Sequence, residues 1–256
     1  MSSIIKTPAL LVSAINWSES SKIGTFITPN HGLVSLIIKG ARKSKSKYSG
    51  LLQPFAESEI IYSEKASREL QILKEISIIH EFLGLRSNPL EFMKLDILAE
   101  LYRKLIQPGE EMDIYYHHII RVLTFLNEQE NPLFNNAIVH LVTAFTKFSG
   151  YPVNYEGCAR CGKTFSGSPI FLTQAEGQLI CVSCHNQNQE HSLNIEPDII
   201  HSIKLVNPFR NFQQTNQCLT NQQLFNLCDF FIHYLSYHAH RMLRLNSLQV
   251  IKELLS

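Results

Sequence analysis

Four cysteines in two close pairs constrain this sequence more than any other feature. Cys158 and Cys161 form a C-x2-C pair, nineteen residues follow, and Cys181 and Cys184 form a second C-x2-C pair. At this spacing two pairs of thiolates can converge on one tetrahedral ion, for which Zn²⁺ is the usual occupant. Because four sulfur ligands leave no position for water, such a metal is structural rather than catalytic. We therefore predict a four-cysteine zinc-binding module at residues 152–190.

The residues around the cysteines are typical of tight turns. Gly157 and Gly162 flank the first pair, where the backbone must bend close to the metal. Apolar runs at 170–172 and 179–182 predict a short hairpin that carries the second pair.

Three other uses of the cysteines compete with this interpretation. Two disulfides would require an oxidising compartment, and the N-terminal residues do not resemble a secretory signal. A thioredoxin-like redox pair would follow a strand and open a helix, whereas these pairs lie in glycine-rich turns. A zinc deaminase would need an H-x-E partner and a P-C-x-x-C loop, and the sequence has neither.

Residues 157–164 also read G-C-A-R-C-G-K-T, which satisfies the phosphate-loop pattern G-x4-G-K-[ST]. A phosphate loop needs a buried strand before it and a helix after it, so that its amides and the helix dipole point at the phosphates. The flanking residues Y-P-V-N-Y-E and F-S-G-S-P do not predict either element. ATP binding that is lost in Lys163→Ala, with the metal retained, would be needed to support this interpretation.

Charge is distributed unevenly along a chain that is almost neutral. The 256 residues carry a net charge of +1, yet residues 1–80 hold ten Lys or Arg against six Asp or Glu. Polyanion binding is therefore expected near the N-terminus. The sequence contains no apolar run of membrane-spanning length, so we expect a cytoplasmic protein with no membrane partner.

The first 80 residues favour β-structure. Five candidate strands are separated by turn signals, and they lie at residues 4–15, 22–28, 33–38, 56–62 and 70–79. This number of strands predicts a closed OB-type barrel at residues 1–80, a fold that commonly binds single-stranded nucleic acid. Trp17 and Phe26 lie on or beside strands, and we expect both in the core.

The longest connection in this region, residues 39–50, is strongly basic. It reads K-G-A-R-K-S-K-S-K-Y-S-G and has five positive charges and no negative one. Cations at this spacing on a Gly/Ser background can follow a phosphate backbone. The alternative is a solvated loop whose charges only maintain solubility. The candidate phosphate-binding residues are Lys39, Arg42, Lys43, Lys45 and Lys47, and Tyr48 is a candidate for stacking on a base.

From residue 90 the apolar period becomes helical. One helix ends at Pro108-Gly109, a second runs through 116–126, and a third opens at Asn131-Pro132 and closes at Gly150. After the cysteines we expect a short helix at 196–205 and a long one that starts with a Thr220/Gln223 capping box. The helices on either side of the cysteines should pack together, giving a helical domain at 81–151 and 191–256 with the zinc module inserted. Cys218 and Cys228 are interpreted as small apolar residues.

The sequence lacks signatures of hydrolytic catalysis. The densest histidine group, at 233, 238 and 240, has no acid or third ligand at a matching spacing. Ser-His-Asp, paired-carboxylate and H-E-x-x-H patterns are missing as well. We therefore expect a protein that is not an enzyme.

Several of these segments together resemble the bacterial recombination mediator family RecO. The resemblance rests on the run K-G-A-R-K-S-K-S-K-Y-S-G-L-L-Q-P-F at 39–55, on a CxxC pair after Gly150-Tyr151-Pro152, and on the order of the parts. It spans nearly the whole chain. Near the C-terminus, where the family often has a G-R-P-L-K-S-R-like segment, this chain differs, although Arg241 and Arg244 keep some positive charge there.

The resemblance implies a DNA-binding protein of the bacterial nucleoid that anneals complementary strands in DNA repair and homologous recombination. Expected partners are single- and double-stranded DNA, RecR, and the acidic C-terminal tail of single-strand-binding protein. Through these the family helps the recombinase RecA to replace single-strand-binding protein on DNA. It also implies that Lys39, Arg42, Lys43, Lys45 and Lys47 hold the DNA backbone and that the four cysteines hold zinc. The competing hypothesis is a zinc-stapled adaptor that captures a protein and does not bind DNA directly.

Overall fold

The computed structural model describes residues 3–127, 133–165, 169–185, 192–206 and 217–255. The chain divides into two compact units, Met1–Glu130 and Asn131–Ser256. The domain boundaries expected at residues 80, 151 and 190 stay predictions.

The first unit begins with five strands that close into a barrel. They are β1 (Ser3–Asn16), β2 (Lys22–Thr28), β3 (Gly32–Ile38), β4 (Glu57–Glu64) and β5 (Gln71–His80), in the order β1-β2-β3-β5-β4. All neighbouring pairs are antiparallel except β3 and β5, which pair in parallel over Leu36–Gln71 and Ile37–Ile72. The predicted five-stranded OB-type fold is confirmed, and its strands lie within two residues of the expected bounds.

Apolar side chains at alternate positions of the strands fill the interior of the barrel. In β3 every second residue is buried, as the period of a strand with one face on a core requires. The long strand β1 pairs with both β2 and β4. Its register shifts between Leu11 and Ser13, an irregularity of the kind that bends and twists a strand. The inward side chains form one cluster: Ala9, Leu11, Phe26, Val34, Leu36, Ile38, Tyr48, Ile60, Tyr62 and Leu73.

Two helices complete the first unit, and both were expected from the helical period. Helix α1 (Pro89–Leu105) starts with proline in its first turn, and the Asn88 side chain accepts hydrogen bonds from the Leu90 and Glu91 amides. Helix α2 (Asp113–Asn127) contacts the barrel through Tyr116. The Tyr116 hydroxyl donates to the buried Glu57 carboxylate of β4 at 2.9 Å.

The second unit combines four helices with a small sheet. Its helices are α3 (Phe134–Phe148), α4 (Pro197–Leu205), α5 (Asn221–His238) and α6 (Asn246–Leu255), and its strands are β6 (Ile170–Thr173), β7 (Gln178–Cys181) and β8 (Ser192–Ile195). Helices α3 and α5 pack together across the cysteine segment, as expected. The Asn136 side chain strengthens this contact, because it donates to the Gln217 carbonyl and accepts from the Leu219 amide.

Several local expectations can be compared with the structure. The Thr220/Gln223 capping box is present at the start of α5. Cys228 is buried as expected, but Cys218 is exposed, so it is not an apolar core residue. The cap proposed at Asn131-Pro132 lies outside the described residues. None of the described helices is long and apolar enough to cross a membrane.

Candidate metal centre and nucleic-acid interface

The four predicted ligands converge. The Sγ atoms of Cys158, Cys161, Cys181 and Cys184 all lie within 4.8 Å of one another, and all six cysteines of the chain are free thiols. The Cys161 and Cys181 sulfurs are 3.8 Å apart. Tetrahedral Zn–S bonds of about 2.3 Å would place sulfurs roughly 3.8 Å from one another, so the cluster has the size of a four-thiolate metal site.

A closed turn presents the first cysteine pair. The Cys158 amide donates to the Lys163 carbonyl at 2.9 Å, and the Gly162 amide donates to the Cys158 carbonyl at 2.8 Å. Gly162 has φ +71, which is the left-handed region that glycine adopts without strain. The Ala159 amide donates to the Leu179 carbonyl of β7, so the turn is fixed to the strand that leads to the second pair.

The second pair lies at the end of that strand. Cys181 is the last residue of β7, and a single 3₁₀ turn, Val182–Cys184, brings Cys184 back toward the first pair. The Arg160 guanidinium donates to the Cys184 carbonyl at 2.7 Å and joins the two turns directly. The predicted hairpin is thus β6 and β7, and β8 adds a third strand that sequence reasoning did not find.

The surroundings of the sulfurs favour a thiolate at one position. Burial would raise the pKa of Cys158, but hydrogen bonds from the backbone amides of Cys181, Cys161 and Arg160 outweigh it and lower the pKa to about 6. The Cys184 thiol has the opposite shift: its hydrogen bonds with the Cys181 and Cys161 sulfurs raise its pKa. A metal ion would remove this difference, because it deprotonates all the thiols that bind it.

The phosphate-loop pattern at 157–164 has no phosphate-loop geometry. Within the described residues 157–165 the backbone forms the cysteine turn and then a segment without regular structure, and the next element in the described part of the chain is strand β6 rather than a helix. Residues 157–165 therefore do not include a helix N-terminus that could bind phosphates.

A second candidate site is the basic connection from β3 to β4. Successive turns shape residues 39–51, with amide-to-carbonyl bonds three residues apart from Lys43 to Gly40, Ser46 to Lys43 and Ser49 to Ser46. Ala41, Tyr48 and Leu52 pack into or against the barrel core and anchor the connection. We call residues 39–50 the basic loop.

All five predicted phosphate-binding residues of the basic loop are exposed: Lys39, Arg42, Lys43, Lys45 and Lys47. Because the loop is anchored by its apolar residues, these cations are presented at the surface by a folded backbone. Such a surface can contact several successive phosphates without ordering a disordered loop first.

Tyr48 differs from the expectation. Only 7% of its surface is exposed, it belongs to the barrel core, and the Lys47 ammonium lies 5.1 Å from the centre of its ring. The expectation that Tyr48 stacks on a base is corrected, because the ring is already packed on the protein. An aromatic residue inside a basic segment has no sequence signal that distinguishes an anchor from a platform.

Trp17 differs in the opposite direction. Phe26 is fully buried as expected, but 58% of the Trp17 surface is exposed. The residue lies just after the end of β1, where the strand leaves the barrel, and position in the sequence alone does not tell whether a ring at such a place turns in or out.

The two C-terminal arginines lie in the second unit, between α5 and α6. Arg241 and Arg244 are both exposed, and Met242 between them is 75% exposed. The buried Leu243 fixes this segment, and its amide donates to the Ser236 hydroxyl at 2.9 Å. Arg241 and Arg244 therefore remain candidates for DNA contact.

Comparison with known proteins gives two family matches that together span most of the chain. The model of the N-terminal part of recombination protein O matches residues 1–82, and that of the C-terminal part matches residues 89–249.

Relatives with curated names agree with these matches. The DNA repair protein RecO of Alkaliphilus metalliredigens is 24% identical over 254 residues, which is 98% of this chain and 100% of the relative. The RecO protein of Thermodesulfovibrio yellowstonii is 26% identical over 237 residues, 88% of this chain and 89% of the relative. That of Anaeromyxobacter sp. (strain K) is 25% identical over 180 residues, 70% of each chain. With a barrel, a four-cysteine cluster and matches over both halves, this chain belongs to the RecO family of DNA repair proteins.

Proposed function

We propose that this protein is a recombination mediator that binds DNA through the basic loop, anneals complementary strands and performs no covalent chemistry. The observation that carries the proposal is the basic loop itself, five exposed cations on a connection anchored to a closed OB-type barrel. Arg241 and Arg244 would add phosphate contacts. Since phosphate contacts carry no sequence information, binding should be largely independent of sequence.

Annealing follows from charge neutralisation. Two complementary strands repel each other through their phosphates, and a cationic surface that displaces counterions lowers this repulsion while base edges remain available for pairing. The process does not need nucleotide hydrolysis. We therefore propose that pairing of complementary single strands is accelerated without ATP, and that the basic loop also binds double-stranded DNA.

Membership of the RecO family also supports a set of partners. We propose that the protein acts with RecR and contacts the acidic C-terminal tail of single-strand-binding protein. In this way it would help RecA to load onto DNA that single-strand-binding protein covers. Its place of action would be the nucleoid.

For the metal site we propose a structural Zn²⁺ held by Cys158, Cys161, Cys181 and Cys184. Four thiolates in a tetrahedron suit Zn²⁺ or an iron–sulfur cluster. Metal analysis should find one zinc per chain, lost in Cys161→Ser and kept in Cys218→Ser, which changes a cysteine outside the cluster. Iron together with a brown colour would overturn the assignment to zinc.

DNA binding is tested by fluorescence anisotropy of a labelled oligonucleotide across a salt series. Replacing Lys43, Lys45 and Lys47 by Ala should weaken binding and reduce the salt slope for single strands by about 2, at about 0.7 per phosphate contact. The matched control replaces Lys6, Lys65 and Arg68, which are exposed on β1 and in the turn from β4 to β5 and give the same change in net charge.

Annealing is tested in parallel by mixing two complementary labelled strands with no nucleotide present. The wild type and the control variant should accelerate pairing, and the basic-loop variant should accelerate it less. If the wild type does not bind DNA even at low salt, the proposal is wrong and the zinc-stapled adaptor becomes the better account. Equal losses in both triple variants would show that net charge matters and the basic loop does not.

A further inference from the structure

Trp17 is the single tryptophan of the chain, and it projects from one end of the barrel with 58% of its surface exposed. A single exposed apolar side chain does not by itself require a functional explanation. Its position is what gives this ring significance, because the turn that carries it is both closed and joined to the basic loop.

Hydrogen bonds within the turn fix its shape. The Trp17 and Ser18 amides both donate to the Ser21 carbonyl, at 3.0 and 3.3 Å, and the Ser21 amide donates to the Ser18 hydroxyl at 3.2 Å. The ring is thus carried by an ordered turn between two barrel strands, so little backbone entropy is lost when a ligand contacts it.

Arg42 joins this turn to the basic loop. Its amide donates to the Ser20 carbonyl at 3.1 Å, and its guanidinium donates to the Ser18 carbonyl. An arginine has five N–H donors, so this contact leaves others for a phosphate. The Trp17 turn and the first part of the basic loop therefore form one surface.

Strand register places Lys22 beside Lys39 of the basic loop at the same end of the barrel. Lys22, the first residue of β2, pairs with Asn16 at the end of β1 and with Ile38 at the end of β3, and Lys39 follows Ile38 directly. Glu19 is the single acidic residue in the turn and the basic loop. An apolar ring bordered by cations has the composition of a single-strand binding surface, in which bases stack on aromatic faces and cations follow the backbone.

We propose that Trp17 stacks on an unpaired base of a DNA strand whose phosphates lie along the basic loop, and that this contact makes the barrel prefer single strands to duplex. The cations attract both forms of DNA, but in a duplex each base face is already covered by its neighbours. Preference for single strands therefore comes from the ring. The inference rests on the proposed function, since it requires DNA on the basic loop.

The chain offers a direct probe, because its intrinsic tryptophan fluorescence comes from Trp17 alone. Titration of the protein with an unlabelled single-stranded oligonucleotide should quench this emission, and a closed duplex of the same sequence should quench it much less. Stacked bases quench an indole ring directly, so the signal reports contact at this residue.

Variants test whether the contact matters for affinity. Trp17→Ala should weaken single-strand binding roughly 5- to 100-fold and leave duplex binding unchanged. Trp17→Phe should restore much of the loss, since it keeps an aromatic face. The matched control is Ile15→Ala, which removes an exposed apolar side chain from the end of the same strand and should leave both affinities unchanged.

The outcomes separate this inference from the proposed function. If the Lys43, Lys45 and Lys47 variant loses DNA binding but Trp17→Ala does not, the basic loop binds DNA and the stacking inference is wrong. Equal losses on single strands and duplex in Trp17→Ala would also overturn it, as would quenching without a loss of affinity. If the wild type binds neither probe, the proposed function fails and the inference with it.

Discussion

At the scale of single residues, Gly32 is a position at which the backbone does not tolerate a side chain. It has φ +59 as the first residue of β3, directly after the turn from β2, and this turn lies against the connection between α1 and α2. The Leu33 amide donates to the Gln107 carbonyl at 3.3 Å, and the Met112 amide donates to the Pro29 carbonyl at 2.7 Å. A Cβ on Gly32 would overlap the Gln107 carbonyl oxygen. The close approach of these two segments therefore requires glycine.

Gly32→Ala should consequently lower the free energy of unfolding by about 3 kcal/mol, because it adds a backbone clash to the cost of a left-handed alanine. Gly50→Ala is the matched control: Gly50 has φ +81, but a Cβ there would have no atom within 4 Å. It should cost only about 1 kcal/mol. Urea unfolding of both variants measures the difference. Equal costs would show that the approach to Gln107 does not constrain the turn.

His238 is the residue whose titration should affect stability. Its ring stacks on Tyr151 with a centroid distance of 3.9 Å, and its Nε2 atom is buried with no hydrogen-bond partner among the described residues. Burial lowers the pKa of His238 below its usual value of 6.5, and the nearby His240 lowers it further, although a hydrogen bond with the Gln174 backbone opposes both. The folded protein thus resists protonation of this ring.

Because the pKa is lower in the folded state, the unfolded chain takes up the proton first as the pH falls. Stability should be complete above about pH 6.5 and should fall as the pH drops from there toward the folded-state pKa. His238→Phe keeps a ring on Tyr151 and removes the titration, so its stability should depend less on pH in this window. Thermal unfolding from about pH 7.5 to about pH 5 checks this, with His233→Phe, exposed on the same helix, as control. If both variants lose stability as steeply as the wild type, His238 is not the titrating group.

At the scale of elements, α5 depends on its N-terminal cap. The Gln223 amide donates to the Thr220 hydroxyl at 3.2 Å, and the Thr220 amide donates to the Gln223 side chain at 2.9 Å. The Gln223 side-chain nitrogen is also 3.3 Å from the Ser202 hydroxyl of α4. The cap therefore links two helices and begins the one that packs on α3.

Thr220→Ala should lower the free energy of unfolding by about 1 kcal/mol, because it leaves the Gln223 amide without its acceptor. Thr220→Ser should be nearly neutral, since the hydroxyl is retained. Gln222→Ala, exposed in the same first turn, is the control and should stay within about 0.5 kcal/mol of the wild type. A Thr220→Ala loss no larger than this control would mean that packing alone fixes the helix start.

Elements also show how far the sequence could predict this molecule. The bounds of the barrel strands were predictable because each strand has its own apolar period and turn signals. The cysteine cluster was predictable because the spacing of its residues is typical of a tetrahedral metal site. The parallel contact between β3 and β5 could not be predicted, since it joins residues 36–37 and 71–72 and has no local pattern. Strand β8 has only four residues and, unlike the equally short β6 and β7, lies outside the segment between the two cysteine pairs; α6 was missed as well.

Side-chain direction at strand ends was the other limit. Tyr48 and Trp17 are aromatic residues next to strands or in a connection, and in each case the position admits both burial and exposure. The two differ in the barrel: Tyr48 belongs to the buried cluster that also contains Ile60 and Tyr62, whereas Trp17 lies beyond the last pair of β1 and β2. Closure of the barrel decides such directions, and closure is a property of all five strands together.

At the scale of the whole molecule, the metal ligands and the basic loop belong to different compact units. All four cysteines lie in Asn131–Ser256, and the barrel with its own apolar cluster lies in Met1–Glu130. In a small metal site the free energy of metal binding is largely free energy of folding. Loss of the metal should therefore affect the unit that provides the ligands.

We expect Cys161→Ser to increase hydrogen exchange in β6 and β7 and to leave the protection of the barrel strands β1 to β5 unchanged. Affinity for single-stranded DNA at low salt should persist, because the cations of the basic loop remain on a folded barrel. Cys218→Ser, at an exposed cysteine outside the cluster, should match the wild type in both measurements. If the barrel strands lose protection as well, the two units unfold together and the metal supports the DNA-binding surface. If only β6 and β7 respond but DNA affinity falls, residues of the second unit, with Arg241 and Arg244 as the first candidates, contribute directly to binding.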